Sequence, residues 1–201
     1  NAVNDAPVIN NGNATLALNA NEENATTFST ALLTAVDVDT TSTALTWSIK
    51  TAATNGTAST SGTGASPTTL TYQGNLNFVG TDSFVAQVSD GVLTDEITVN
   101  VIVAAVNDAP VITVGGADTN ATTATVKEDN GSSFALAAAV AASDVDDAGA
   151  SLTWSLKTTA ANGIATVSGT GASPTVTYVP TADYNGSDSF ALQVADDDNL
   201  T

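Results

Sequence analysis

Two aspartate pairs carry the clearest chemistry in this sequence: Asp37-Val38-Asp39 and Asp144-Val145-Asp146. In an extended segment residues i and i+2 point the same way, so both carboxylates of an Asp-x-Asp reach one point in space. That point suits a hard divalent cation, because calcium gathers about six to eight oxygens from carboxylates, amides, backbone carbonyls and water. The same pair in a turn also serves a plainer purpose, accepting backbone N–H groups as an Asx-type turn does. The charge balance favours the cation. The chain has 21 Asp and Glu against three lysines, with no Arg or His, and a net charge of −18. Where its acids crowd they lack protein cations to pair with, and dissolved divalent ions are the available counter-charge.

The same balance excludes several functions. A chain this acidic is repelled by nucleic acid and by anionic membrane surfaces. No apolar run approaches the ~20 residues that span a bilayer, so no membrane insertion is expected. There is no His to act as general base and no Cys to act as nucleophile, and Ser and Thr have no partner base. No Gly-rich phosphate loop or zinc pattern occurs. Paired carboxylates can hydrolyse glycosides, but a pair repeated in both halves of a chain suits structure better than one active site. The expectation is a protein that is not an enzyme. Without cysteine, stability must come from packing, from metal, or from both. Absence of Cys does not fix the compartment, and no leader peptide stands at Asn1, which reads as an internal piece of something longer.

The elements that position these acids are repeated. Asn4-Asp5-Ala6-Pro7-Val8-Ile9 recurs as Asn107-Asp108-Ala109-Pro110-Val111-Ile112, and Leu45-Thr46-Trp47-Ser48 recurs as Leu152-Thr153-Trp154-Ser155. Gly62 to Pro67 returns unchanged as Gly169 to Pro174, and Asp82-Ser83-Phe84 as Asp188-Ser189-Phe190. The spacing is about 105 residues and drifts slightly, as loops vary while strands keep their order. Within each copy the apolar period is two: Leu45, Trp47 and Ile49 alternate with Thr46, Ser48 and Lys50, and Ile97, Val99, Val101 and Val103 with polar or small neighbours. Phe190, Leu192 and Val194 repeat the pattern in the second copy. Asn55-Gly56, Asn162-Gly163 and Asn185-Gly186 read as turns between strands. The expected fold is all-β: two tandem immunoglobulin-like Greek-key sandwiches of about seven strands each, over residues 1–105 and 106–201, with Trp47 and Trp154 as core anchors. The second copy reads as lacking its last strand, because it stops at Thr201, which aligns with Thr94. That reflects either the boundary of the segment or a strand supplied by a neighbouring chain.

Val-Asn-Asp-Ala-Pro-Val, then Glu-Asn or Glu-Asp, then Asp-x-Asp, then Leu-Thr-Trp-Ser, together resemble the cadherin repeat over essentially the whole chain. The closest likeness is to the bacterial cadherin-like repeats of large surface adhesins, including those of the repeats-in-toxin type. The resemblance implies calcium where one repeat passes to the next. Carried onto this chain, it names Glu23 and Asp82 from the lower end of the first copy, and Asn107 and Asp108 from the linker. From the top of the second copy it names Asp144, Asp146 and Asp196. Asn4, Asp5, Asp37, Asp39 and Asp90 form the equivalent upper set of the first copy, and Glu128 and Asp188 begin a further lower set. The match has gaps. Ala105 and Ala109 stand where a full cadherin linker has Asp and Asn, and a paired acid motif is reduced to Asp82. About one or two ions per set are therefore expected.

The resemblance implies a calcium-rigidified extender of a bacterial cell-surface adhesin, supporting adhesion or biofilm formation. Its partners would be neighbouring repeats of the same chain, with any surface glycan or protein ligand held by other domains. Two other readings stay open: a module that itself binds sugar or peptide through loops at the sandwich ends, and a subunit of a surface layer or fibre.

Overall fold

The computed structural model describes residues 3–10, 15–116, 121–128, 140–147 and 151–201. The chain divides into two compact units, Asn1–Val106 and Asn107–Thr201. Both are all-β, as the period-two patterning requires.

Unit 1 contains β1 (Val8–Ile9), β2 (Thr15–Asn21), β3 (Thr26–Thr27), β4 (Ala35–Val36), β5 (Thr46–Thr51), β6 (Gly56–Thr63), β7 (Thr69–Gly74), β8 (Gly80–Ser89) and β9 (Thr94–Ala104). The pairing order is β2-β9-β8-β5-β6-β7-β3, with β1 beside β4. β5 and β6 pair only at Thr46–Thr63 and Trp47–Gly62. The sheet therefore folds over there into two layers, β2-β9-β8-β5 and β6-β7-β3. A 3-10 turn at Thr30–Leu32 interrupts β3 and β4; counted as one broken strand, and β1 with β2 as another, the segments make the seven strands expected. One feature had no sequence signal: β2 runs parallel to β9, Thr15 opposite Thr98 through Asn21 opposite Ala104.

The inward positions are those the alternation selects. Leu45, Trp47, Phe84, Val99, Val101 and Val103 from one layer close over Leu70 and Tyr72 from the other. Each fully buried aliphatic or aromatic side chain contributes about 1.5–3 kcal/mol. The Trp47 indole N–H donates to the Gly64 carbonyl at 3.0 Å, so its burial leaves no orphaned donor.

Unit 2 repeats the plan with β10 (Val111–Val114), β11 (Val140–Ser143), β12 (Thr153–Thr158), β13 (Gly163–Ser168), β14 (Thr175–Pro180) and β15 (Ala191–Ala195). β12 pairs with β15 in the register of β5 with β8, including the same irregularity before the strand end. Trp154 donates to Gly171 O at 2.9 Å, as Trp47 does to Gly64. In unit 1, β8 is flanked by both β5 and β9. Among the described residues β15 pairs with β12 alone, and Phe190 and Leu192 are half-buried where Phe84 and Ala86 are buried.

Two of the Asn-Gly pairs differ from the expected hairpin turns. Gly56 and Gly163 each open the strand after a crossover, and each is glycine because a tyrosine lies where a Cβ would go. A Cβ on Gly163 would stand 2.5 Å from the Tyr178 hydroxyl oxygen and 2.6 Å from its Cζ; on Gly56 it would stand 2.5 Å from Tyr72 Cζ and 2.6 Å from the Gln73 carbonyl. Neither ring is free to yield, because both hydroxyls are hydrogen-bonded to aspartate. Gly163→Ala should destabilise unit 2 by about 1–3 kcal/mol, read as a lowered urea midpoint; an unchanged midpoint would show that the tyrosine can move.

Candidate metal centre

In unit 2 the strand ends gather the acids. β10 begins where its partner β11 ends, with Val111 opposite Ser143. Asn107 and Asp108, just before β10, therefore meet Asp144, Asp146 and Asp147, just after β11. β15 ends opposite the start of β12, with Ala195 opposite Thr153, and delivers Asp196 to the same place. Asn107 Nδ2 donates to Asp196 Oδ2 at 2.7 Å, and the Asp108 N–H donates to Asp146 Oδ2 at 2.8 Å. Asp144 Oδ1 accepts the N–H groups of Asp146 at 2.9 Å and Asp147 at 3.0 Å. Carboxylate oxygens of Asp144, Asp147 and Asp196 lie within 4.8 Å of one another. Asp196 is 2% exposed.

Unit 1 builds the same set from its own copy. Asn4 Nδ2 donates to Asp90 Oδ2 at 2.8 Å, and the Asp5 N–H donates to Asp39 Oδ2 at 2.8 Å. Asp37 Oδ1 accepts the N–H groups of Asp39 at 2.8 Å and Thr40 at 2.7 Å. Asp90 Oδ1 accepts from Val92 and Leu93. The Leu93 N–H, the Asn4 amide and the Val92 N–H together hold the Asp90 carboxyl below the usual range.

The Asx-type turn and the ligand reading of Asp-x-Asp thus apply to different oxygens of one carboxylate. Oδ1 of Asp37 and of Asp144 caps a turn. Oδ2 of each is buried with no hydrogen-bond partner, and so is Oδ2 of Asp108. A buried anionic oxygen without a donor is costly, and crowding compounds it. At Asp147 the Asp197 N–H pulls the carboxyl down, yet lost hydration and the Asp197 and Asp144 charges outweigh it and leave it raised. Oxygen-only, anionic and partly dehydrated, the set fits a calcium-like cation. Asn4, Asp5, Asp37, Asp39 and Asp90 are brought together in unit 1, and Asn107, Asp108, Asp144, Asp146 and Asp196 in unit 2.

Glu23 and Asp82 lie elsewhere in unit 1. Glu23 follows β2 in a left-handed turn, φ 64°, with its carbonyl accepting from Gln73 Nε2 at 2.9 Å. The neighbouring Glu22 is the buried acid, 0% exposed: Oε1 accepts the Val106 N–H at 3.0 Å and Oε2 is buried without a partner. Asp82 serves a latch. Its carboxylate accepts the Tyr72 hydroxyl at 2.9 Å and the N–H groups of Asn55 at 2.8 Å, Ser83 at 2.8 Å and Thr54 at 3.2 Å. Burial alone would raise this carboxyl, but the four donors hold it below the usual range. The latch pins the β5–β6 crossover to β7 and β8. Expected as a ligand, Asp82 has both oxygens accepting hydrogen bonds from donors of unit 1.

Asp188 repeats the latch with Tyr178, Asn162, Ala161 and Ser189. Burial raises its carboxyl, the donors outweigh burial, and the result is about 2, while burial and the Asp188 bond push Tyr178 up to about 12. A carboxyl lowered in the folded state stabilises above its unfolded value and ceases to do so as pH falls through the folded one. Unit 2 should therefore lose stability between about pH 4 and pH 2, and Asp188→Asn should flatten that part of the acid-unfolding curve. An unaltered slope would remove Asp188 from the account.

Sequence reasoning missed Glu22 and Asp147. Both had a signal: Glu22 continues the inward period of Leu18 and Ala20, and Asp147 stands where the first copy has Thr40.

The fold and these sets define tandem immunoglobulin-type sandwiches with a cluster of acidic side chains at one end of each. The chain belongs to the bacterial Ig domain family, which matches residues 4–102 and again 107–201. Cadherin ectodomains share the fold. Over Drosophila N-cadherin EC1-4 the TM-score is 0.55 at 13% identity, covering 96% of this chain and 46% of that one. Over human protocadherin-24 EC1-2 it is 0.52 at 18% identity, covering 96% and 88%. Endo-fucoidan hydrolase MfFcnA4 from glycoside hydrolase family 107 matches with a TM-score of 0.42 at 17% identity; 98% of this chain is covered, but it spans only 27% of the length of that one. No curated protein matches the sequence. Among the described residues no helix is long and apolar enough to cross a membrane.

Proposed function

We propose that this chain is a non-catalytic extender segment of a large bacterial surface adhesin, displayed outside the cell and stiffened by calcium. Membership in the bacterial Ig domain family and the cadherin-like fold support a structural or adhesive module. The observation that carries the calcium reading is the twice-built acidic set whose buried Oδ2 atoms, on Asp37, Asp108 and Asp144, have no partner. Bound calcium would supply the positive charge these oxygens lack. Asp108, Asp144, Asp146 and Asp196 would hold it in unit 2, and Asp5, Asp37, Asp39 and Asp90 in unit 1.

Asn107 and Asp108 are also the residues through which the chain leaves Val106. An ion held beside them orders the segment joining the units, and relief of carboxylate repulsion favours one arrangement over many. Repeated along a longer chain, this makes a stiff spacer that presents a distant adhesive domain, in an adhesin of the repeats-in-toxin type that supports biofilm formation. Small-angle scattering tests it. Chelation should increase the spread of dimensions and calcium should restore a narrow distribution; identical profiles in calcium and in chelator would refute the stiffening role.

A further inference from the structure

The two acidic sets are close copies, and they differ at one inner position. Asp147 in unit 2 stands where unit 1 has Thr40. The backbone is the same at both: the Asp147 N–H donates to Asp144 Oδ1 at 3.0 Å, and the Thr40 N–H to Asp37 Oδ1 at 2.7 Å. Only the side chain changes. It places a carboxylate oxygen within 4.8 Å of those of Asp144 and Asp196, and among the described residues this is the one group of three acids so close. Unit 1 has a neutral hydroxyl there. The other added acids, Asp197 and Asp198, replace Gly91 and Val92 and are exposed; Asp197 meets the set through its N–H, which donates to Asp147 Oδ2 at 3.3 Å, so Asp147 is the added carboxylate that stands among Asp144 and Asp196.

Calcium affinity in oxygen sites follows the number of charged ligands. We infer that Asp147 makes the two sites unequal, so that unit 2 binds calcium at roughly tenfold lower concentration than unit 1. This rests on the calcium reading of both sets. The consequence is a graded response: as calcium rises, the Asn107–Asp108 segment is ordered first and the Asn4–Asp5 segment later, so a long array would stiffen at some repeats before others.

The test is a calcium titration of the full chain followed by amide NMR shifts, with Val92 and Leu93 reporting unit 1 and Asp197 and Leu200 reporting unit 2. The unmodified chain should show two midpoints, unit 2 first. Asp147→Thr should raise the unit 2 midpoint roughly tenfold, to meet that of unit 1, and Thr40→Asp should lower the unit 1 midpoint with unit 2 unchanged. Equal midpoints, unit 1 leading, or a unit 2 lead that survives Asp147→Thr would overturn the inference while leaving calcium binding intact. If Asp147→Thr fails to fold, Thr40→Asp decides alone: an unmoved unit 1 midpoint overturns it. Absence of any calcium-dependent shift would instead overturn the underlying reading of both sets.

Discussion

Calcium at about a hundredfold above its dissociation constant should raise the melting temperature of each unit by about 10–20 °C over the chelated chain. The size follows from linkage. A ligand that binds the folded state and not the unfolded one adds about 2.7 kcal/mol at that excess, and a domain near a hundred residues gains about 4–8 °C per kcal/mol. The unfolded chain is a poor competitor because it scatters the linker, Asp-x-Asp and Asp196 or Asp90 residues that folding brings together. Magnesium should do much less, since it demands a tighter octahedral shell and holds its water strongly. Scanning calorimetry reads the effect directly, and a shift below about 2 °C would leave the acidic sets without a thermodynamic role.

The second large effect belongs to Asp82. Asp82→Ala should destabilise unit 1 by about 3–5 kcal/mol, because it strands the Tyr72 hydroxyl and the Thr54 and Asn55 N–H groups at a buried crossover. Tyr72→Phe removes one of the four donors and should lose only about 1 kcal/mol. The decisive feature is that the Asp82 loss should be the same in calcium and in chelator, whereas Asp39→Ala, which in chelator gives up only an exposed hydrogen bond from the Asp5 N–H, should cost much more in calcium. Urea unfolding in both buffers separates the two roles. A loss on Asp82→Ala that vanishes in chelator would return Asp82 to the ligand set.

Much of this was legible in the sequence, for identifiable reasons. The strands were legible because burial on one face of a sheet imposes period two, and Leu45-Thr46-Trp47-Ser48 states it without ambiguity. Asp-x-Asp was legible because its spacing alone puts two carboxylates on one side of an extended segment. What stayed hidden depended on pairing across the fold. Parallel pairing of β2 with β9 leaves no local trace. Asn55-Gly56 looks like a hairpin turn, and only the Tyr72 ring shows that its glycine makes room. Asp82 and Asp90 are both aspartates at strand ends, and nothing local separates one held by a tyrosine and three N–H groups from one held beside an asparagine and an Asp-x-Asp. Glu22 and Glu23 are adjacent, so a one-residue difference in where β2 ends decides which of them is buried.

The central claim is that the buried carboxylate oxygens otherwise without partners, Oδ2 of Asp37, Asp108 and Asp144, are there to meet an ion. Anomalous X-ray diffraction from crystals grown in ample calcium tests it most directly. The account predicts a calcium peak among Asp108, Asp144, Asp146 and Asp196, and a second among Asp5, Asp37, Asp39 and Asp90. Carboxylates turned out to solvent with no peak among them would contradict it.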